Sequence, residues 1–194
     1  MIRGTHAAIR TAEPDDAPQF QQLYHSATPR SALLTRLREV IIPTVDELEE
    51  VFVQSEKNSG PFYAIEDKEG TIRGFCSLRT ASQMREAAFY AELVLLFLDD
   101  NDYGGALARE VYEWLHYWAF VERRMTKLII HCLDCETALR EWAVSVGFES
   151  DGVQREVLFT QGRWHNIEAL TLFATGDENR AEREGLKTGN GHSE

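Results

Sequence analysis

A chain of 194 residues, 43% of them hydrophobic, can bury one substantial core but is short for two independent domains. Its formal charge of -12 and its lack of a basic stripe exclude a surface built to bind nucleic acid, because phosphate contacts need clustered Lys and Arg. No apolar run is long enough to cross a bilayer, and the first 16 residues lack the apolar stretch of a secretory signal, so we expect a cytoplasmic protein without membrane contact.

The first predicted elements are a short strand and three helices. Alternating apolar residues predict a strand within 6–13, and Pro14 followed by two acids marks a helix start, with the helix running to about Ser26. A second helical stretch covers 31–40. A third follows Pro43 and Thr44, where four apolar residues recur at helical spacing: Val45, Leu48, Val51 and Phe52.

Strands dominate the middle of the chain. Segments 62–66 and 71–78 flank a turn at 67–70 and predict an antiparallel hairpin. Segment 87–98 is apolar on both faces and predicts a central strand covered from both sides, with Glu92 as its one charged residue.

The second half predicts a parallel crossover and a final hairpin. Apolar residues from Leu107 to Trp118 share one face of a helix that ends near Glu122, and 127–132 reads as the next buried strand. A helix over 136–146 should stop at Gly147. Two strands, within 153–160 and 165–173, are joined by a turn at 161–163. We expect a single domain over 1–174 and a disordered tail over 175–194, which has almost no large apolar groups.

Three cysteines cannot all pair within one chain, and a domain of this size folds without disulfides, so we expect free thiols. Cys132 and Cys135 have the spacing of a metal or redox pair. A zinc site needs two further ligands, and the sequence has no second pair of this kind, so we expect no metal.

The segment from Leu96 to Val111 carries the chemistry. A strand, an acidic loop, the adjacent Gly104 and Gly105 and a helix bring unpaired backbone N–H groups and the positive helix end together. Glycines there let a phosphate approach the backbone closely. The same glycines could also serve only as a tight turn between a strand and a helix.

This segment resembles a known cofactor motif. Asn101-Asp102-Tyr103-Gly104-Gly105-Ala106 looks like the acetyl-CoA motif of the GCN5-related N-acetyltransferase (GNAT) superfamily: Arg or Gln, two residues, Gly, one residue, Gly or Ala. It departs at the first position, which is Asn101. The C-terminal part is similar to the ribosomal-protein and small-amine branch of the superfamily, in Gly147-Phe148, Asp151-Gly152, Arg155 and Gly162-Arg163-Trp164. The resemblance spans roughly Ile9 to Phe173.

The resemblance implies a fold and a cosubstrate. The GNAT fold is an α/β (α+β) fold with a mixed, mostly antiparallel sheet of about seven strands and about four or five helices. The cosubstrate is acetyl-CoA, with its phosphates on the main-chain amides of Asn101, Asp102, Tyr103, Gly104, Gly105 and Ala106. Its pantetheine arm lies along the main chain of Leu96, Phe97 and Leu98, where the strand splays from its neighbour. Glu136 stands about where the family has an Asn that contacts the arm.

Acetyl transfer to an amine needs a proton acceptor and a donor for the departing thiolate. Glu92 is the candidate base, because desolvation within an apolar strand should raise its pKa, and many family members use a Glu on this strand. Alternatively, Glu92 sits at the wet end of its strand or pairs with an arginine such as Arg79. His165 is a second candidate for handling substrate or protons.

The proton donor is less evident. The places where the family has Tyr or Ser hold Ala143 and Leu139, and neither can donate a proton. The acid then comes from elsewhere, such as Tyr90, Tyr103, Ser145 or Cys135, or from water, unless catalysis has been lost. The predicted catalytic residues are therefore Glu92, Tyr103 and His165.

The leading hypothesis is an N-acetyltransferase that moves the acetyl group of acetyl-CoA directly to a primary amine of a small molecule or a protein N-terminus. The acidic balance favours a small cationic acceptor. The alternative is a catalytically silent acyl-CoA-binding or interaction module. A dinucleotide-binding fold is disfavoured, because the glycine segment follows several strands and lacks the three-glycine spacing. Aromatic residues on the final hairpin and its free edge predict a homodimer.

Overall fold

The computed structural model describes residues 2–33, 42–58, 62–79 and 90–174. Its eight strands are β1 (Ile2–Arg3), β2 (Ala7–Thr11), β3 (Tyr63–Asp67), β4 (Ile72–Arg79), β5 (Tyr90–Phe97), β6 (Lys127–Leu133), β7 (Glu149–Thr160) and β8 (Arg163–Phe173). Its α-helices are α1 (Ala17–Gln22), α2 (Val45–Asn58), α3 (Ala106–His116) and α4 (Thr137–Ser145). The predicted α/β fold with a mixed sheet is confirmed, and β1 is an additional strand that the sequence pattern did not indicate.

All eight strands form one sheet in the order β1-β2-β3-β4-β5-β6-β8-β7. Neighbouring strands are antiparallel except β5 and β6, which are parallel and joined by α3. The predicted hairpin β3–β4, the parallel crossover and the final hairpin β7–β8 are all confirmed. Within the part of the chain that the structure describes, no helix is both long and apolar enough to span a bilayer.

Both faces of the sheet are covered, and β5 contributes to both layers. Leu93, Leu95 and Phe97 pack into the core beneath α3 and α4, whereas Val94 and Leu96 belong to the core beneath α1 and α2. This alternation explains why the strand is apolar at nearly every position. We call these two sides the α3/α4 face and the α1/α2 face.

Aromatic rings hold the α1/α2 face together. Phe20 of α1 packs edge-on against four other rings, with centroid distances of 4.9 Å to Phe75, 5.2 Å to Phe52, 5.3 Å to Phe62 and 6.3 Å to Tyr24. Edge-to-face pairs of this kind are favoured by the ring quadrupoles. These contacts fix α1 and α2 against the centre of the sheet. The segment that connects the two helices therefore begins and ends on the α1/α2 face.

The helix ends follow their sequence signals. Glu13 and Asp16 form a capping box before α1, Thr44 and Glu47 pair in the same way before α2, and Gly147 has a left-handed φ of 101° after α4. The helix after β5 continues through a π-helical turn to Glu122, as predicted. Of the helix predicted over 31–40, the structure describes a 3-10 turn at Ser31–Leu33, and residues 34–41 lie outside the described residues, as does the tail over 175–194.

Candidate active site

The parallel strands β5 and β6 separate part of the way along their length. Their register pairs are Tyr90 with Lys127, Ala91 with Leu128 and Glu92 with Ile129. Beyond Glu92, β5 stays paired with β4 on its outer edge, and β6 stays paired with β8. The inner edges of the two strands therefore face each other across what we call the β5–β6 gap, which opens towards Phe97 and Leu133.

The glycine loop leads from the open end of this gap into α3. A 3-10 turn covers Asp100–Gly104, and Gly105 is the N-cap of α3 with no side chain capping the helix. The amides of Asn101, Asp102 and Gly105 bond within the loop, the first to the Asp99 carboxylate at 2.9 Å. The N–H groups left unpaired by helix geometry are therefore those of the first turn of α3, starting at Ala106. An anion site here lies nearer the helix than the sequence motif indicated.

Neither glycine is required by the conformation of the loop. Gly105 has a φ of -95°, and Gly104 also lies outside the left-handed region. A Cβ at Gly104 would meet no atom within 4 Å, and one at Gly105 would make only ordinary contacts, the nearest at 3.5 Å. Open space above two adjacent glycines at an uncapped helix end fits the approach of a phosphate group, as acetyl-CoA requires.

Two of the three aspartates in the loop are neutralised by arginines. Arg73 of β4 binds Asp102 with contacts of 2.9–3.1 Å, and Arg30 lies 2.7 Å from Asp100. These two ion pairs reduce the negative charge of the loop, so an anion is repelled less than the sequence suggests.

Tyr103 turns its side chain into the gap from the α3/α4 face. The ring packs on Phe97 and Trp142, with centroids 4.9 Å and 6.3 Å away, and the hydroxyl donates a 2.9 Å hydrogen bond to the Leu95 carbonyl. Burial raises the pKa of Tyr103 above its usual value, so the group is a neutral phenol.

Glu136 is buried between β6 and the segment that follows α1. One carboxylate oxygen accepts hydrogen bonds from the amides of Leu133, at 2.7 Å, and Ser31, at 3.0 Å. The other carboxylate oxygen is buried without a hydrogen-bond partner. Burial raises the pKa of Glu136, and the backbone hydrogen bonds oppose that rise. Glu136 is the residue predicted to contact the pantetheine arm, but in this conformation its carboxylate binds the amides of Ser31 and Leu133.

Glu92 lies where the gap begins, on the α1/α2 face, and it is not isolated. Its carboxylate is 3.2 Å from the Nδ1 atom of His131 on β6. The hydrogen bond from His131 lowers the pKa of Glu92 and outweighs burial, with Arg79 on the neighbouring strand acting in the same direction. The prediction of a raised pKa for Glu92 is wrong. The apolar sequence around Glu92 does not reveal that His131, on the adjacent strand, contacts its carboxylate.

His165 is buried, not on the surface, and it belongs to a polar network. Its Nδ1 atom lies 2.7 Å from the Asp134 carboxylate, and its Nε2 atom accepts a 3.3 Å hydrogen bond from Arg163. Cys135 lies beside this network: its sulfur, an Asp134 oxygen and a His165 ring nitrogen are within 4.8 Å of one another, and the thiol itself contacts the Pro29 carbonyl at 4.0 Å. The arginine satisfies the second ring nitrogen and partly balances the carboxylate, so the cluster is complete as a hydrogen-bonded network.

The hydroxyl groups proposed as acids differ in where they lie. Ala143 and Leu139 are buried apolar residues of the core, as their identities require. Ser145 donates to the Trp142 carbonyl of its own helix, and Tyr90 lies at the start of β5, behind the point where the gap begins. Tyr103 is the predicted candidate whose hydroxyl lies in the gap.

A small cavity lies on the α1/α2 face, and Arg30, which pairs with Asp100 after β5, is the lining residue that connects it with the gap. Its volume is ≈ 100 Å³. Its walls come from the chain after α1 and from the tip of the final hairpin: Leu23, Tyr24, Ser26, Thr28, Pro29, Arg30, Leu33, Thr160 and Gln161. The Gln161 side chain closes one side by donating a 3.1 Å hydrogen bond to the Ala27 carbonyl.

The comparisons with known proteins agree with this architecture. A family model described as an acetyltransferase (GNAT) domain matches residues 9–167, and the chain belongs to this family. It is an acetyl-CoA-dependent N-acetyltransferase. No curated protein matches the sequence significantly.

Solved structures of a spermidine N-acetyltransferase from Vibrio cholerae share the fold. One, in complex with CoA and spermine, has a TM-score of 0.69 at 18% identity and covers 87% of this chain and 96% of its own. A dodecameric form has the same TM-score and identity and covers 90% and 98%. At this identity the likeness establishes the fold.

Sequence reasoning missed three residues of this site: Arg30, Ser31 and His131. His131 left a usable signal, because it lies in the strand predicted to run beside the strand of Glu92, and an imidazole is a natural partner for a carboxylate. Arg30 and Ser31 left none, since they reach the gap through contacts with residues about 70 to 105 positions away in the chain.

Proposed function

We propose that the protein acetylates a primary amine of a small cationic molecule, with the Glu92–His131 pair receiving the proton. The observation that carries this proposal is the position of the pair, where β5 and β6 begin to separate, on the face that also holds the small cavity. A protonated amine is attracted to an ionised carboxylate and must lose its proton before it attacks. The lowered pKa of Glu92 keeps that carboxylate ionised at neutral pH.

Charge favours a small cation over a peptide. The chain has a formal charge of -12, which concentrates cations near its surface. The relative from Vibrio cholerae whose structure contains CoA and spermine offers a parallel in acceptor chemistry. The cavity of ≈ 100 Å³ is narrow and suits the end of an extended chain better than a folded terminus.

Acetyl-CoA would bind along the glycine loop and the β5–β6 gap. When bound, this cosubstrate supplies an acetyl thioester. We assign its phosphates to the first turn of α3, beside the loop Asn101–Ala106, and its arm to the inner edge of β5 at Leu95 and Phe97. The amide of Leu98, which was predicted to contact the arm, bonds instead to the Arg73 carbonyl on the β4 side. Tyr103 is placed to protonate the departing thiolate, because its hydroxyl is in the gap and remains a proton donor. His165 orients the acceptor side through Asp134.

We further propose that the protein forms a dimer through β7 and acts in the cytoplasm. β7 is the last strand of the sheet, and its hairpin exposes Val153, Val157, Phe159 and Trp164. The three cysteines are free thiols, as expected in a reducing compartment.

Thiol release from acetyl-CoA, measured across a panel of amines, tests the acceptor class. The panel is spermidine, an aminoglycoside and a tripeptide with a free N-terminus. We expect kcat/KM to be highest for spermidine, and Glu92→Gln to lose most of that rate. A preference for the tripeptide contradicts the proposed acceptor. Tight CoA binding without thiol release for any amine identifies the silent module instead.

A further inference from the structure

The β5–β6 gap is filled from both faces by the chain's own polar groups. On the α3/α4 face, the Tyr103 hydroxyl donates to the Leu95 carbonyl at 2.9 Å and has the Phe97 amide as a second partner. Both backbone groups lie on the inner edge of β5, because the other edge pairs with β4. These are the groups that a pantetheine arm along this strand would use.

On the α1/α2 face, two consecutive residues connect the separated ends of the strands. Arg30 reaches Asp100, just after β5, at 2.7 Å. Ser31 donates through its hydroxyl to the His131 carbonyl of β6 at 2.6 Å, and its amide bonds to Glu136 at 3.0 Å. We call this pair the Arg30–Ser31 bridge. Arg30 is 3% exposed and Ser31 5%, so the bridge is inside the protein.

The closed arrangement leaves hydrogen-bonding capacity unused. Five buried side-chain atoms have no hydrogen-bond partner in the described structure: Gln19 Oε1, Arg30 Nε, Asp100 Oδ1, Glu136 Oε1 and Trp142 Nε1. The Asp100 oxygen has the ion pair with Arg30, and all of these residues except Gln19 lie around the gap. Buried polar groups are normally paired, so such atoms in one neighbourhood indicate an arrangement that a polar ligand can improve. Tyr103 packs against Trp142 with ring centroids 6.3 Å apart, so Trp142 belongs to the wall of the gap on the α3/α4 face.

We propose that Tyr103 and the Arg30–Ser31 bridge form a latch, which holds the gap closed in the free protein and opens when acetyl-CoA binds. The proposal deepens the function proposed above and rests on it. Tyr103 competes with the arm for the inner edge of β5, and the bridge ties β6 to the segment after β5. The latch therefore lowers the apparent affinity for CoA by the ratio of closed to open protein. Arg30 of the bridge also lines the small cavity, so opening changes the place where the acceptor binds.

Two substitutions that each remove one hydrogen bond of the latch provide the test. Tyr103→Phe keeps the ring packing, and Ser31→Ala keeps the amide bond to Glu136. We expect each to tighten CoA binding about fivefold by calorimetry, because one hydrogen bond of ordinary strength no longer holds the closed state. Tyr103→Phe should at the same time lower kcat, since the thiolate loses its proton donor.

Matched controls remove equivalent hydrogen bonds elsewhere. The Tyr112 hydroxyl donates to the Val146 carbonyl at 3.2 Å and its ring also packs on Trp142, so Tyr112→Phe repeats the chemistry outside the gap. The buried Thr171 hydroxyl donates to the Asp151 carboxylate at 3.1 Å near the edge of the sheet, and Thr171→Val is the control for Ser31→Ala. Neither control should change the dissociation constant for CoA. Equal tightening in the controls overturns the latch.

Hydrogen exchange with and without CoA gives a readout that does not depend on activity. Ligands usually slow exchange, but the latch predicts faster exchange at the amide of Ser31 and slower exchange at the first turn of α3. The latch is overturned if exchange at Ser31 is slower or unchanged and both variants bind CoA with unchanged affinity. In that case, binding of CoA to the wild type still supports the proposed function. If neither the wild type nor the variants bind CoA, both proposals fail. Binding by the variants alone is the strongest support for the latch.

Discussion

Removing the partner of Glu92 should move the acid limb of the pH–rate profile. His131→Ala deletes the hydrogen bond that lowers the pKa of Glu92, while the burial that raises it remains. The pKa of Glu92 should therefore rise above its wild-type position, and the carboxylate should be protonated at a higher pH. Activity that depends on ionised Glu92 is then lost at a higher pH as the solution is acidified.

The expected loss of rate is set by the exposure of the pair. General bases contribute about 10²- to 10⁴-fold to a rate. The Glu92 side chain is 30% exposed and that of His131 39%, so water can partly replace the carboxylate. We therefore expect Glu92→Gln to lower kcat/KM about a hundredfold, near the lower end of that range.

The sign of the pH effect on stability follows from the same shift. A carboxyl group whose folded pKa is depressed stabilises the fold above its unfolded pKa, and this stabilisation is lost as pH falls through the folded value. For Glu92 that loss begins below its ordinary value of 4.5, where the wild-type acid limb also lies, so the pH–rate profile is followed from about pH 9 down to about pH 4, with the fold checked by circular dichroism at each pH.

The assay is thiol release at saturating acetyl-CoA, with kcat/KM for the amine measured against pH. His116→Ala and Glu113→Gln are the controls: His116 packs on Tyr112 and Phe120, and Glu113 pairs with Arg109 on the exposed side of α3. An acid limb that stays in place in His131→Ala, or a Glu92→Gln variant as active as Glu113→Gln, refutes the assignment of the base.

Three further predictions concern the loop, the core and the edge of the sheet. Gly104→Ala should weaken CoA binding about tenfold, because the new methyl group would stand where we place a phosphate. Tm should not change, since the new Cβ meets no protein atom within 4 Å, and unchanged CoA binding would show that no phosphate lies over Gly104. Phe75→Ala should cost about 3–5 kcal/mol in urea unfolding, since Phe75 is fully buried and packs on two other rings; a cost below about 1 kcal/mol contradicts the packing account. Phe159→Ser with Trp164→Ser should convert a dimer to a monomer in light scattering, and a dimer that persists rules out this edge as its interface.

The fold was predictable wherever the signal was local. The alternation in β5, the cap before α2 and the glycine after α4 each depend on neighbours within a few residues, and each is found in the structure. The first strand was missed because two residues carry no periodicity. The turn between β1 and β2 is held by a distant residue, since the Glu110 carboxylate of α3 accepts hydrogen bonds from the amides of Thr5, His6 and Ala7.

The site was predictable only in outline. The sequence located the loop, the helix after it and the single acid in β5, because backbone chemistry and local pattern define them. It could not show that Tyr103 lies across the gap or that Glu136 holds Ser31, since both depend on how distant segments fold together. The error over Glu92 has the same origin. Its environment was judged from its own strand, whereas its pKa is set by His131 on the next one.

Cys135 offers a means of observing this protein at work. Cys76 and Cys132 are buried in the core, whereas Cys135 is partly exposed and its sulfur lies 4.0 Å from the Pro29 carbonyl, one residue before the bridge. A maleimide fluorophore should therefore attach at this one position without any engineered residue, although slowly, because burial raises the pKa of the Cys135 thiol. A natural label then sits beside the segment whose movement decides whether the gap is open.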